Sequence, residues 1–175
     1  MNPSGPVFTG VDHLGIVTRD LDAALRRWTA QYGVGPWQVF AYDETAMEAT
    51  YCGVTGALPM LAALCSLNDR FRLELIQPLT ATGPYHDSLL AHGDGDHLHH
   101  VRLATAVPTD AQAALARNGN DVVFDAAFAG SDPAGARFRA RYYDTVADLG
   151  FLLEVGDPPD GFRMPEPSRV YPPVS

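Results

Sequence analysis

Two pairs of histidine and glutamate residues recur in the same order along this chain. His13 precedes Glu74 in the first half, and His100 precedes Glu154 in the second, each within an apolar, strand-like segment. A carboxylate among buried aliphatic side chains is unfavourable unless a cation pairs with it. Imidazole nitrogens and carboxylate oxygens are the donors that divalent metals such as Zn, Ni, Co, Mn or Fe accept. We therefore predict that these four residues bind one divalent ion.

The segments around these residues repeat a β-α-β-β-β order. In each half, a strand with the histidine precedes a helix, and three strand-like runs follow, the last of which contains the glutamate. Asp20 is the predicted N-cap of the first helix, and Gly33 its end. This mixture favours an α+β fold made of two βαβββ modules. Packing of the modules about a pseudo-twofold axis would bring the four residues into one cleft.

The predicted organisation has five parts. Residues 1–8 form a lead-in, 9–80 the first module, 81–96 a connecting helix and turn, 97–156 the second module, and 157–175 a Pro-rich tail. The tail contains too much proline to form a helix or a central strand.

Composition narrows the classes of partner and chemistry. The net charge is −9, which argues against nucleic acid or an anionic membrane surface as a partner. All 12 basic residues are arginine, so chemistry that needs a catalytic lysine is excluded. No apolar run is as long as a membrane span, and the N-terminus has no signal pattern. A cytoplasmic protein is expected, with a homodimer as the default assembly.

Strand alternation separates the remaining candidates. His99 and His100 should point to opposite faces, and His100 is chosen as the ligand because it aligns with His13. His97 and His99 are interpreted as solvent-facing residues or as partners behind the ligands.

Other side chains are candidates for substrate binding. Arg141 and Tyr143 share a strand face that could bind an anionic group. If that face is the outer one, the alternate residues Phe138, Ala140 and Tyr142 line the cleft instead. Trp37 and Tyr51 are candidate cleft walls, with core packing as the competing interpretation.

Several motifs taken together resemble a known superfamily. They are Asp12-His-Leu-Gly-Ile-Val, Leu73-Glu-Leu-Ile-Gln-Pro-Leu, the turn from Gly93 that leads to His99-His100, and the segment from Tyr143 to Glu154. Together they resemble the vicinal oxygen chelate superfamily, and within it the glyoxalase and methylmalonyl-CoA epimerase-like branch. The resemblance covers about residues 9–156.

The resemblance implies paired βαβββ modules whose curved, mixed sheets form a metal-bearing cleft. Carried over residue by residue, the ligands are His13, Glu74, His100 and Glu154. Epimerases of this kind often have glutamine where this chain has Glu74, which is closer to the glyoxalase arrangement.

The resemblance also implies proton transfer next to a carbonyl group of a small organic substrate, by an epimerase, an isomerase or a glyoxalase-like lyase. A divalent cation polarises the carbonyl, and a carboxylate then moves the proton. Glu154 is one candidate base, and Glu48 lies where such epimerases place a second one. Two alternatives stay open. One is a small-molecule binding or resistance protein of the same fold, and the other is a specialised-metabolism enzyme with a bulky cyclic substrate.

Overall fold

The computed structural model describes residues 6–131 and 135–173. Within these ranges, eleven strands form one mixed sheet and four helices accompany it. The α+β class is therefore confirmed. Residues 1–5 of the predicted lead-in, residues 132–134 of the predicted second module and residues 174–175 of the predicted tail lie outside the described residues.

Strands and helices alternate along the chain in the order that the repeat predicts, with a few additions. The strands are β1 (Gly10–Val17), β2 (Trp37–Tyr42), β3 (Met47–Tyr51), β4 (Val54–Gly56), β5 (Met60–Asn68), β6 (Phe71–Pro78), β7 (His97–Ala104), β8 (Val122–Ala129), β9 (Arg137–Tyr143), β10 (Leu152–Asp157) and β11 (Arg169–Tyr171). The helices are α1 (Leu21–Tyr32), α2 (Pro84–Ala91), α3 (Pro108–Arg117) and α4 (Val146–Leu149).

The two halves of the chain join at the centre of the sheet. The strand order is β11-β2-β5-β6-β1-β7-β10-β9-β8-β3-β4. Strands β1 and β7 pair antiparallel, whereas each half pairs its own first and last strands in parallel, β1 with β6 and β7 with β10. The four strands that contain the predicted metal ligands are thus immediate neighbours.

Helix α1 covers one face of the first half. Asp20 accepts a hydrogen bond from the backbone of Ala23, and Gly33 ends the helix with a left-handed φ of 68°, as predicted. Leu21 and Leu25 pack with Leu73, Leu75 and their neighbours on that face. In the second half, Ala111 and Leu115 of α3 pack with Leu153 and Val155 in the same way. Glu74 and Glu154, which alternate with these aliphatic residues, therefore face the opposite side.

The sheet curls so that its opposite face encloses a shared core. Tyr42 of β2 and Phe128 of β8 lie near opposite ends of the strand order, yet their ring centroids are 5.1 Å apart. Both belong to a buried cluster with members from the two halves, which also includes Met60, Tyr85 and Tyr142. Burial of this shared apolar surface therefore holds the halves together in addition to the pairing of β1 with β7.

The β3–β4 hairpin departs from the simple repeat. It follows β2 in the first half, but β3 pairs with β8 of the second half. Cys52 and Gly53 both have positive φ values, 48° and 79°, which suits a tight two-residue hairpin turn. Met47 and Ala49 of β3 join the shared core, so the hairpin extends the second half at its edge.

The Pro-rich tail returns from β10 to the first half of the sheet. Its β11 pairs antiparallel with β2 at the sheet edge, the position where a strand tolerates proline. Ser168 donates two hydrogen bonds to the carbonyl of Val39, from its backbone nitrogen and from its hydroxyl. Across residues 6–131 and 135–173, no helix combines the length and apolar character needed to cross a membrane.

Candidate metal centre

The four predicted ligands converge from four adjacent strands, β6, β1, β7 and β10. The separations between each histidine Nε2 and each glutamate Oε2 range from 2.9 to 3.4 Å. The Nε2 atoms of His13 and His100 are themselves 3.2 Å apart. Donors that lie about 2.0–2.2 Å from one ion stand roughly 2.8–3.6 Å from one another. The observed spacing fits a single divalent ion.

Burial and hydrogen bonding at this cluster also fit a metal. His100 is 0% exposed and Glu154 3% exposed. Glu154 Oε2 is buried and has no hydrogen-bond partner among the residues that the structure describes, although both histidines are nearby. A buried carboxylate oxygen normally has a partner. A cation bound between these groups would supply it.

The charges in the cluster shift several pKa values. Burial lowers the pKa of His13, but the charges of Glu154 and Glu74 outweigh it and raise the value to about 9. Burial likewise lowers the pKa of His100, and the two glutamates raise it above its usual value. Burial raises the pKa of Glu154, whereas His13 and His100 hold it well below its usual range. A metal ion would take the place of the protons on the histidines.

The position of His100 is fixed from three sides. Its ring stacks on Tyr142 with the ring centroids 4.5 Å apart. On another side lies Gly15, its pairing partner in β1, where an added Cβ would come within 3.0 Å of the imidazole ring. His99 Nδ1 lies 3.0 Å from His100 Nδ1. With His100 Nε2 directed at a metal, its Nδ1–H would donate to His99.

The interpretation of His99 as a solvent-facing residue is wrong. The register of β7 against β1 skips His99, because Gly15 pairs with His100 while Ile16 pairs with Leu98. Such a β-bulge breaks the alternation of faces. His99 is consequently only 5% exposed and lies behind the ligand. Burial, followed by the charge of His100, lowers the pKa of His99 well below its usual value, so its ring is neutral.

Charged residues flank His13, the other histidine of the predicted ligand set. Asp12 Oδ2 lies 3.4 Å from His13 Nδ1 and accepts a hydrogen bond of 2.6 Å from Arg72. Arg102 Nε is 3.3 Å from the same oxygen. Burial raises the pKa of Asp12, but His13 and the two arginines lower it to about 2. Asp12 is thus an ionised partner for His13, and the sequence reasoning did not select it.

The ligands lie in a narrow cleft between apolar walls. The cavity within it is about 60 Å³. Tyr42, Met60 and Phe128 line it, as do Phe162 and Met164 from the tail. The tail is held there by Ser131, which donates hydrogen bonds to the carbonyls of residues 163 and 164. The tail therefore forms part of the cleft wall, a role that its composition alone did not indicate.

Five of the residues selected from the sequence do not lie at this cleft. Phe138, Ala140 and Tyr142 of β9 line the cleft. Because side chains alternate along a strand, Arg141 faces the outer side of the sheet, where it forms an ion pair with Asp125. Tyr143 packs in the cluster beneath α3, and Trp37 packs in the cluster beneath α1. The hydroxyl of Tyr51 donates a hydrogen bond to Asp87, and the side chain of Glu48 is exposed. Arg141, Tyr143 and Glu48 lie on strand faces that point away from the cleft, whereas Tyr51 follows Met47 and Ala49 on the inward face of β3 and packs at the margin of the shared core.

The Glyoxalase/Bleomycin resistance protein/Dioxygenase superfamily model matches residues 12–138, so the chain belongs to this superfamily, as the resemblance predicted. No protein of curated function matches the sequence significantly.

Solved structures of methylmalonyl-CoA epimerases share the fold. A Streptomyces coelicolor variant in complex with 2-nitronate-propionyl-CoA is 24% identical, with a TM-score of 0.60 over 85% of this chain and 96% of that one. The Mycobacterium tuberculosis enzyme is 19% identical, with a TM-score of 0.61 over 89% and 92%. A selenomethionine form of methylmalonyl-CoA epimerase is 16% identical, with a TM-score of 0.62 over 89% and 99%. Identities this low show similarity of fold.

Proposed function

We propose that this protein is a metal-dependent enzyme that moves a proton next to a carbonyl group of a small organic substrate. One observation carries the proposal: four donor side chains from four adjacent strands converge at 2.9–3.4 Å, and the buried Glu154 Oε2 has no hydrogen-bond partner within residues 6–131 and 135–173. A set of two imidazoles and two carboxylates suits Zn, Ni, Co, Mn or Fe, and the choice among these is open.

The four donors have different roles in this proposal. His13, Glu74 and His100 form a compact group with ligand atoms within 4.8 Å of one another and would hold the ion. A bound divalent ion would polarise the substrate carbonyl and lower the pKa of the adjacent C–H bond. Glu154, the fourth donor of the cluster, would also provide the carboxylate that accepts the substrate proton.

The surroundings of the donors support this chemistry. Tyr85 and Tyr142 are buried beside the site, and their hydroxyls are 2.7 Å apart. Burial, assisted by the negative glutamates, raises the pKa of both well above the usual value, so both stay protonated. Together with the apolar walls they give the cleft a lining of low polarity, which strengthens electrostatic interactions within it.

The substrate in this proposal is small. The cavity of about 60 Å³ beside the four donors favours a small substrate over a bulky cyclic one. A methylmalonyl-CoA epimerase of similar fold is known in complex with methylmalonyl-CoA. With a net charge of −9 and no lysine, however, this chain offers few partners for the phosphates of coenzyme A. We therefore do not extend the acyl-CoA substrate to it.

Exchange of substrate C–H hydrogen for solvent deuterium tests the proposal. Protein loaded with each candidate metal is incubated with small 2-oxo and 3-oxo compounds in D₂O, and NMR spectroscopy follows the exchange. We expect catalysed exchange by the native chain and at least a hundredfold loss in Glu154→Gln. Glu48→Gln is the matched control, because Glu48 is exposed on the outer face, and it should retain full exchange.

The outcomes separate the candidate functions. Metal binding together with tight ligand binding but no exchange would favour a small-molecule binding protein of the same fold. Equal loss in Glu154→Gln and Glu48→Gln would contradict the role given to Glu154.

A further inference from the structure

We propose that Arg72 and Arg102 form a carboxylate-binding subsite within the cleft, so that the substrate is a small oxo acid. This inference rests on the proposed function, since it assigns the class of substrate for the same cleft. It concerns different side chains from those that hold the metal.

Both arginines stand on the strand face that carries the metal ligands. Arg72 lies two residues before Glu74 in β6, and Arg102 two residues after His100 in β7, and alternation places each pair on one face. In the sheet register, His13 of β1 pairs with Arg72 on one side and with Arg102 on the other. Both side chains line the cleft.

Arg102 is held in a defined position. Its guanidinium lies over the ring of Phe138, 4.7 Å from the ring centroid. It also occupies the space next to Gly156 where a Cβ would otherwise stand. Its side chain is 18% exposed, compared with 51% for Arg139 on the outer face. A partly buried, oriented guanidinium is suited to bidentate recognition of a planar carboxylate.

The N–H donors of the two guanidinium groups are only partly occupied by protein acceptors. Asp12 Oδ2 lies 2.6 Å from Arg72 and 3.3 Å from Arg102, and within residues 6–131 and 135–173 no other carboxylate lies within 4 Å of either guanidinium. A guanidinium has five N–H donors. Two guanidiniums beside one carboxylate leave donors available toward the cleft.

The balance of charge points to a monoanionic group. Arg72 and Arg102 contribute two positive charges, and Asp12 contributes one negative charge. Glu74 and Glu154 would together neutralise a divalent ion. One net positive charge is left in the cleft, and a single substrate carboxylate would neutralise it.

The outer arginines provide a contrast. Arg139 and Arg141 both bind Asp125 on the opposite face of the sheet, and Arg139 does so through two hydrogen bonds. These residues lie outside the cleft, so a change there should not affect ligands within it. Arg139→Gln is consequently a control with the same change of charge.

The test measures binding to zinc-loaded protein by calorimetry. The probes are three oxo acids of increasing length (pyruvate, acetoacetate and levulinate), the neutral amide of each, and inorganic phosphate. We expect at least one oxo acid to bind at least tenfold more tightly than its amide. Arg102→Gln and Arg72→Gln should each reduce this preference at least tenfold, with zinc content unchanged, whereas Arg139→Gln should preserve it.

Two results would overturn the inference while leaving the metal site intact. The first is that zinc-loaded protein binds the amides as tightly as the acids, or that it still prefers the acids to the same degree after Arg72→Gln and after Arg102→Gln. The second is phosphate as the tightest ligand of the series. Failure to bind zinc would instead overturn the proposed function, so the two failures are distinguishable.

Discussion

The substitution Gly15→Ala adds a single methyl group and should disable the metal centre. The new Cβ would lie within 3.0 Å of three ring atoms of His100, closer than real Cβ atoms approach a neighbour. Since carbon atoms make contact near 3.5 Å, the imidazole would have to retreat by about 1 Å or more. Tyr142 is stacked on the ring at a centroid distance of 4.5 Å and limits that movement.

A displacement of about 1 Å exceeds the roughly 0.2 Å tolerance of a metal–ligand bond. Changes in groups that only support a ligand weaken metal binding about 10–100-fold, so loss of the ligand itself should cost at least about 100-fold. Overpacking should also destabilise the fold by about 1–3 kcal/mol, which lowers the melting temperature by roughly 2–12 °C. Zinc titration of metal-free protein and thermal unfolding measure the two effects.

The matched control is Gly10→Ala in the same strand. An added Cβ at Gly10 meets nothing within 4 Å, so both zinc affinity and melting temperature should stay at the native values. Native zinc affinity in Gly15→Ala would refute the position assigned to His100. Equal loss in both variants would show that the effect comes from β1 in general and not from this contact.

Three further predictions concern the support of the ligand, the outer face and the tail. His99→Phe keeps an aromatic ring but removes the partner of His100, so zinc affinity should fall about 10–100-fold, and an unchanged affinity would exclude that role. Asp125→Asn removes the ion pair with Arg139 and should lower the free energy of unfolding by about 0.2–1 kcal/mol at pH 7. Burial raises the pKa of Asp125, but its arginine partners lower it below the usual value. The stability difference should thus persist down to about pH 4 and disappear below it, and urea unfolding that gave the same difference at pH 3 would contradict this sign. Phe162→Ala removes a side chain from the wall of the cleft and should widen it. Measured by calorimetry, binding of 4-phenyl-2-oxobutanoate should improve at least tenfold relative to binding of 2-oxobutanoate. An unchanged ratio of the two affinities would show that the tail does not limit substrate size.

Much of the fold follows from local sequence signals. Asp20 and Gly33 mark the ends of α1, and the structure has both caps there. The alternation of Glu74 with Leu73 and Leu75 predicts which side of β6 packs against the helix, and the repeat predicts the same for the second half. The convergence of the four candidate metal donors could be predicted because each half repeats one histidine strand and one glutamate strand.

Other features depend on contacts that local patterns do not contain. Alternation shows that Arg139 and Arg141 share a face of β9, but it does not show whether that face is the inner or the outer one. In the structure Tyr142 is buried, so the arginines lie on the outer face. The bulge at His99 is set by the register between β7 and β1, which lie far apart in sequence. The place of Phe162 in the cleft follows from the return of the tail to β2, which composition cannot predict.

Metal binding by the purified chain tests the central claim most directly. Metal-free protein is titrated with Zn²⁺ and Co²⁺ by calorimetry, with visible absorption to follow the coordination of cobalt. We predict one ion per chain in the native protein and in the outer-face variant Glu48→Gln, and at least a hundredfold loss of affinity in His100→Ala. A native chain that binds neither ion, or a His100→Ala variant that binds both with native affinity, would contradict the assignment of His13, Glu74, His100 and Glu154 as a metal centre.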